Sequence, residues 1–289
     1  MMPKEKGVPA LVLATGVYGL YGVFSRMIGL EFGVFTQNWL RNFLVAATLF
    51  VYVTFAKKWI RIRKEDFLWI LFWILSGMFS TLALFISFNI LPIGVSYFVT
   101  YVGIIISGSL VGLLLFKEAV NKIKLFSIFL ALLGLVIIFH TSLNLTNLLL
   151  VVPLISGAFT GIWYTISKKF SNRYPNIQLV FLDATVGGIF SFLLTLFFRE
   201  HLPQFTFTIS WTGIALFALA QLVTVQLVVY GFKHTTVHLG TIIMPLETVF
   251  GAFFAFLFFK EVLSSATFIG GILILFAAIM PYIHIAKTK

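Results

Sequence analysis

Ten stretches of apolar residues follow one another through this chain, with only short polar connections between them. A helix that crosses the hydrocarbon core of a bilayer needs about 20 such residues. Segments of that size fall at Val8 to Ile28, Phe35 to Phe55, Phe67 to Phe88, Ile93 to Phe116, Leu125 to His140, Leu148 to Ser167, Ile177 to Phe198, Ile209 to Gly231, Leu239 to Phe259 and Thr267 to Ile285, the fifth being the shortest. The expected fold class is therefore all-α and integral to a membrane, with ten transmembrane helices. Composition agrees: a chain of 289 residues that is 60% hydrophobic and 10% charged, with a mean hydropathy of +1.07, has more apolar surface than a water-soluble core can hide. Connections this short leave no room for a soluble domain.

The formal charge of +11 raises the question of nucleic acid, and the placement of the basic residues answers it. They cluster in the short loops between apolar runs, as in membrane proteins, so no nucleic-acid partner is expected. Counted on alternate sides, Lys4, Lys6, Lys57, Lys58, Arg61, Arg63, Lys64, Lys117, Lys122, Lys124, Lys168, Lys169, Arg173, Lys233, Lys287 and Lys289 face one way and Arg26, Arg199 and Lys260 the other. Basic loops stay in the cytoplasm. Both termini are therefore expected there, in a multi-pass protein of the plasma membrane. The first apolar run follows Lys4 and Lys6 as a signal peptide would, but it is long enough to span and no small-residue cleavage site follows, so a retained helix is expected. With no cysteine, thiol catalysis, disulfides and cysteine metal sites are excluded.

The chain also repeats itself. Leu114-Leu115-Phe116-Lys117-Glu118 closes one apolar run and Leu257-Phe258-Phe259-Lys260-Glu261 closes another, each followed by one further apolar segment in which Leu130 and Leu132 fall opposite Leu273 and Leu275. The expected halves are residues 1–142 and 143–289, with five helices each. Five is odd, so the second half must lie upside down relative to the first. The loops agree, because Lys122 and Lys124 after the first motif become Ser265 and Thr267 after the second. Inverted repeats build a site near the bilayer midplane that opens to either side as one half rocks against the other.

Ten helices in two halves of five, an arginine early in helix two (Arg41-Asn42-Phe43) and an apolar helix ending in Lys-Glu in each half resemble the EamA-type members of the drug/metabolite transporter superfamily. The most specific match is Glu247-Thr248-Val249-Phe250-Gly251-Ala252 with Phe258-Phe259-Lys260-Glu261, similar to that family's Glu-Pro-Val-Phe-Ala-Ala closing in Leu-Gly-Glu. Thr248 replaces the proline and Ile105 is its counterpart in the first half, so a helix break there would have to come from Pro245. The resemblance implies that helices four and nine flank a central cavity together with one, three, six and eight.

Candidate binding residues follow from polar groups at membrane depth. Gln37, Asn38, Arg41 and Asn42 share one stripe of helix two. Arg41 lies roughly 10 Å inside the outer boundary, where an unpaired charge costs at least about 2.5 kcal/mol. It is either an anion anchor facing the cavity or an arginine that snorkels outward or clamps a carbonyl. A shift of 142 residues, in which Gly161 meets Gly19 and Ser167 meets Ser25, sets Asp183 opposite Arg41. The two would receive opposite ends of a zwitterion, or Asp183 would carry a proton, or both belong to structural helix contacts. Glu247 falls near the midplane, where an ionised carboxylate is strongly disfavoured unless a cation is close. It is a candidate for coupling proton movement to transport, or a protonated acid bonded to a neighbouring helix. Tyr97 and Tyr101 are one turn apart and offer stacking surfaces. Gln221, Gln226 and Thr81 are further polar candidates, although the five-residue spacing puts the two glutamines on different faces.

Glycines at Gly16, Gly19, Gly22, Gly108, Gly112, Gly157 and Gly161 read as seams of close helix packing, and Trp59 and Trp211 as interface anchors. His234 and His238 are spaced for a metal on a helix, but no carboxylate accompanies them, so no metal site is expected. No Gly-Lys-Ser/Thr phosphate cradle appears and no nucleophile lies beside a base, so neither an ATP-driven motor, a cofactor nor an enzyme is expected. The expected function is a secondary transporter that exports a small, amino-acid-like metabolite by alternating access. Its partners would be that substrate, protons and the lipid bilayer, with a homodimer left open. The alternative is a lipid-head-group flippase or a non-transporting membrane scaffold, in which the buried charges are structural.

Overall fold

The computed structural model describes residues 6–29, 31–91, 93–119, 121–139, 148–204, 208–260 and 264–287. Among them there is no strand. The α-helices are α1 (Gly7–Gly19), α2 (Tyr21–Ile28), α3 (Val34–Phe55), α4 (Lys64–Ile90), α5 (Ile93–Leu114), α6 (Lys122–Phe139), α7 (Val151–Phe170), α8 (Asn176–Phe197), α9 (Ile209–Lys233), α10 (Val237–Ile243), α11 (Leu246–Phe259) and α12 (Ser265–Lys287). Among the described residues seven segments are long and apolar enough to cross a membrane: Gly7–Ile28, Lys64–Phe88, Val95–Leu114, Leu148–Phe170, Asn176–Phe197, Ile209–Lys233 and Val237–Phe259.

Two runs expected as single helices are broken. The first bends at Leu20, whose N–H bonds the Val17 carbonyl at 3.1 Å in a tightened turn. The bend follows Gly19, where a Cβ would lie 2.7 Å from Phe250 Cβ and 2.9 Å from the Gly251 nitrogen. The ninth divides into α10 and α11 at Met244-Pro245. Proline has no N–H to continue the ladder. The next turn is held instead by Glu247 N–H to Met244 O at 3.1 Å and Thr248 N–H to Pro245 O at 3.0 Å. Pro245 thus supplies the break that Thr248 does not.

Helix ends repeat one device. Lys57, Lys117, Arg199 and Lys260 close α3, α5, α8 and α11 in the left-handed conformation, with φ of 51°, 51°, 54° and 55°. A side chain there costs roughly 1–2 kcal/mol, and a cation at a helix C-terminus offsets part of it. After three of these caps the amide of Lys58, Glu118 or Glu200 reaches back to the carbonyl of Val53, Gly112 or Thr195 at 2.9–3.0 Å. The carboxylates then cross to another helix. Glu200 accepts from Phe35 and Thr36 N–H at 3.0 and 2.7 Å at the start of α3. Glu118 accepts from Val237 N–H at 2.8 Å at the start of α10. Such carboxylates supply acceptors that helix N-termini lack.

In the bundle α3 packs on α8, α4 and α5 on α7, α6 on α12, α1 on α9 and α11, and α10 on α5. The α5–α7 seam depends on glycine, since a Cβ at Gly103 would lie 2.7 Å from the Leu154 carbonyl. The α6–α12 seam likewise sets Gly134 against the Gly270 carbonyl at 2.6 Å. One end is tied by Gly7 N–H to His234 O (3.3 Å), Ile60 N–H to Gln178 Oε1 (2.9 Å) and Lys233 Nζ to Ser171 O (3.0 Å). Ser210 Oγ to Ile28 O (2.9 Å) ties the other. The expected boundary between halves, at residues 142 and 143, and Glu261 of the second Lys-Glu pair lie outside the described residues.

Candidate functional site

A cavity of about 270 Å³ opens between α1/α2, α5 and α11. One wall carries Tyr18, Tyr21, Gly22 and Arg26, which recur at intervals of three or four residues on one helical stripe. Tyr97 and Tyr101 of α5 form a second wall, and Glu247, Thr248, Gly251 and Phe259 of α11 a third. Glu247 sits in the first turn of α11, the short helix that Pro245 creates. Tyr101 and Glu247 line the same cavity. The Arg26 guanidinium lies over the Phe259 ring, 4.3 Å from its centroid. Tyr18 and Tyr21 meet edge to face at 4.9 Å, and the Tyr21 hydroxyl and Thr224 Oγ1 hydrogen-bond at 2.7 Å.

Of the residues singled out from the sequence, Tyr97, Tyr101 and Glu247 line this cavity. The polar stripe of helix two does not. Gln37 donates to Phe32 O at 2.9 Å, Asn38 to Ser191 Oγ at 2.6 Å, and Arg41 Nη2 to Asn38 Oδ1 at 2.6 Å. Gln221 donates to Asn42 Oδ1 at 2.6 Å, which completes a polar lattice across α3, α8 and α9. Arg41 stacks on Phe217, 4.2 Å from its centroid, and Tyr21 packs against that same ring at 4.4 Å. Phe217 therefore links the lattice to the cavity wall. Arg41 Nε and Gln221 Oε1 are buried without a partner among the described residues.

Asp183 stands apart from both groups. Its Oδ1 accepts from Trp163 Nε1 at 3.0 Å, and no ion pair joins it to Arg41 among the described residues. Trp163 is fixed by stacking on Trp73 and by accepting from Trp73 Nε1 at 2.8 Å. Thr81 is satisfied within its own helix by the Gly77 carbonyl at 2.9 Å. Of the helices implied to flank the cavity, those carrying Thr81, Trp163 and Gln221 contribute no lining residue. Tyr18, Tyr21, Gly22 and Arg26 were not singled out as a site, although their spacing carried the signal.

A bundle of helices long and apolar enough to cross a membrane defines a multi-pass membrane protein. The chain belongs to the EamA-like transporter family, whose model matches it twice, over residues 5–140 and 147–283. That membership makes it an EamA-type member of the drug/metabolite transporter superfamily, a membrane transporter of small solutes. No curated protein sequence matches the chain. A solved structure described as "Crystal structure of protein" is similar in fold, with a TM-score of 0.79 over 96% of this chain and 98% of the other at 14% identity.

Proposed function

We propose that this protein is a secondary transporter that exports a small, amino-acid-like metabolite by alternating access across the plasma membrane, with both termini in the cytoplasm. The observation that carries the reading is Glu247, a carboxylate at a helix break, on the floor of a cavity walled by tyrosines. Helix breaks at mid-depth leave backbone groups free for a solute, and a carboxylate there carries protons or pairs with an ammonium group. In this reading an amino acid directs its ammonium at Glu247 and its carboxylate at Arg26, with Arg41 adding positive potential from behind Phe217.

Ten spans in two inverted halves are supported by the packing. Exchanging α1/α2 with α7, α3 with α8, α4 with α9, α5 with α10/α11 and α6 with α12 turns the most extensive packed pairs into one another, although α7 with α9 and α8 with α9 have no counterpart of similar extent. Details follow the exchange: Gly19 lies against the Gly251 nitrogen as Gly161 lies against that of Gly108. Arg26 covers Phe259 as Lys168, its counterpart, covers Phe116 at 5.2 Å. Arg26 and Phe259 line one end of the cavity, while α5, α7 and α10 pack together at the opposite end. With both termini in the cytoplasm, the end of the cavity beside Arg26 would lie on the outer side in this reading.

The test is flux of a labelled amino-acid mixture in proteoliposomes, with and without a pH gradient, for the parent and Glu247→Gln. Gradient-dependent flux in the parent and gradient-independent flux in the variant support Glu247 as the coupling group. Equal transport by both makes Glu247 structural, and absence of flux in the parent overturns the transporter of amino-acid-like solutes.

A further inference from the structure

Most helical glycines of this protein have a neighbour that forbids a side chain. Gly22 has none: a Cβ built there meets nothing within 4 Å. Gly251, across the cavity on α11, would meet only the Gly19 carbonyl at 3.9 Å. Both residues line the cavity. Neither has a positive φ that would call for glycine. A glycine inside a helix destabilises it relative to alanine, so helix stability gives no reason for either.

The second half shows what the empty space replaces. Under the 142-residue shift Gly22 corresponds to Tyr164, which is buried and stacked on Phe232 with centroids 5.6 Å apart. Under the 143-residue offset that sets Lys117 opposite Lys260, Gly251 corresponds to Gly108, whose missing side chain is filled by the Thr241 methyl group. The closed end of the bundle thus fills both positions with protein. The end beside Arg26 leaves them empty, and Tyr21 and Tyr97 border the gap.

We infer that Gly22, with Gly251 facing it, sets the size of the substrate's side group: the space over these glycines receives that group, while Glu247 holds the amine. The inference rests on the amino-acid transporter reading. It concerns which solutes fit, whereas Glu247 concerns what drives them.

The experiment is initial export of labelled alanine, valine, leucine and phenylalanine from proteoliposomes by the parent, Gly22→Ala and Gly22→Leu, with thermal unfolding of each in detergent. One methyl group in a fitted pocket discriminates by about tenfold or more. Gly22→Ala should lower phenylalanine export about tenfold and spare alanine, Gly22→Leu should leave only the smallest solute, and neither should unfold earlier than the parent. Gly19→Ala, which strikes Phe250, should depress all four solutes and unfolding temperature together. If Gly22→Ala lowers all four alike with unchanged stability, or changes none, Gly22 is no size determinant. If the parent exports none of the four, the amino-acid reading falls and takes this inference with it.

Discussion

Lys168 Nζ lies 2.7 Å from Glu118 Oε1 and 2.7 Å from the Thr235 carbonyl, so one ammonium joins the ends of α7 and α5 to the approach of α10. The pair is largely withdrawn from solvent, with side-chain exposures of 20% and 11%. Glu118 also accepts from Val237 N–H. Its neutralisation therefore weakens two charge-assisted interactions, at a cost of about 2 kcal/mol. Because the chain has no native cysteine, Thr241→Cys would carry the only thiol. Thr241 is buried on α10. In a Glu118→Gln background that thiol should react at least about tenfold faster with a membrane-impermeant reagent applied to this end. An unchanged rate would show that the pair does not hold the end shut.

The Gln221–Asn42 hydrogen bond ties α9 to the lattice that orients Arg41. Gln221→Leu keeps the volume and strands the Asn42 carbonyl oxygen in an apolar setting. Interhelical hydrogen bonds in membranes are worth about 0.6–1.7 kcal/mol, and a stranded buried acceptor costs about 1–3 kcal/mol. The variant should unfold in detergent with a loss of about 1–2 kcal/mol. A loss within 0.3 kcal/mol, on the order of ordinary additivity error, would show that the lattice carries no stability.

Glycine substitutions should divide by geometry. A Cβ at Gly157 strikes the Thr100 carbonyl, a backbone atom that cannot step aside. Gly157→Ala is expected to separate α5 from α7 and cost about 2–4 kcal/mol, or to abolish the folded fraction in size-exclusion chromatography. At Gly187 a Cβ meets only Asn42 Nδ2 at 3.9 Å. Gly187→Ala should be neutral or stabilising by up to about 1 kcal/mol. Equal behaviour of the two would contradict the close α5–α7 approach.

Pro245→Ala returns an N–H to the junction of α10 and α11. Proline inside a helix costs about 3 kcal/mol, so the variant should unfold no earlier than the parent. A continuous helix turns Glu247 away from its place in the first turn of α11. Export should then fall by about tenfold or more while the protein stays folded. Full export by a healed helix would show that the break is dispensable.

Some of this was legible residue by residue. The apolar runs mark the helices because hydrocarbon length is a one-dimensional requirement that a chain meets or fails locally. Pro245 marks the break in the ninth run for an equally local reason, the missing donor. Glu247, Tyr97 and Tyr101 could be singled out because polar groups at membrane depth stand out against their neighbours. The one-residue interruption at Leu20 was not legible, since no proline marks it.

By itself the sequence determined an all-helical membrane protein with two related halves and a carboxylate within the ninth apolar run. These follow from composition, spacing and repetition along the chain. Only the tertiary structure decided which polar groups share a cavity. Arg41, Asn38 and Gln221 look like site residues in the sequence, yet Arg41 bonds to Asn38, Asn38 to Ser191 and Gln221 to Asn42, across three helices. Gly22 reads in the sequence as a close-packing seam and Arg26 as a loop charge, yet both line the cavity, and a Cβ at Gly22 would meet nothing within 4 Å. The physical reason is that a helix presents polar groups on any face at nearly the same local cost. Whether a given face meets a partner helix or open space depends on how the helices pack, and that packing joins residues far apart in the chain.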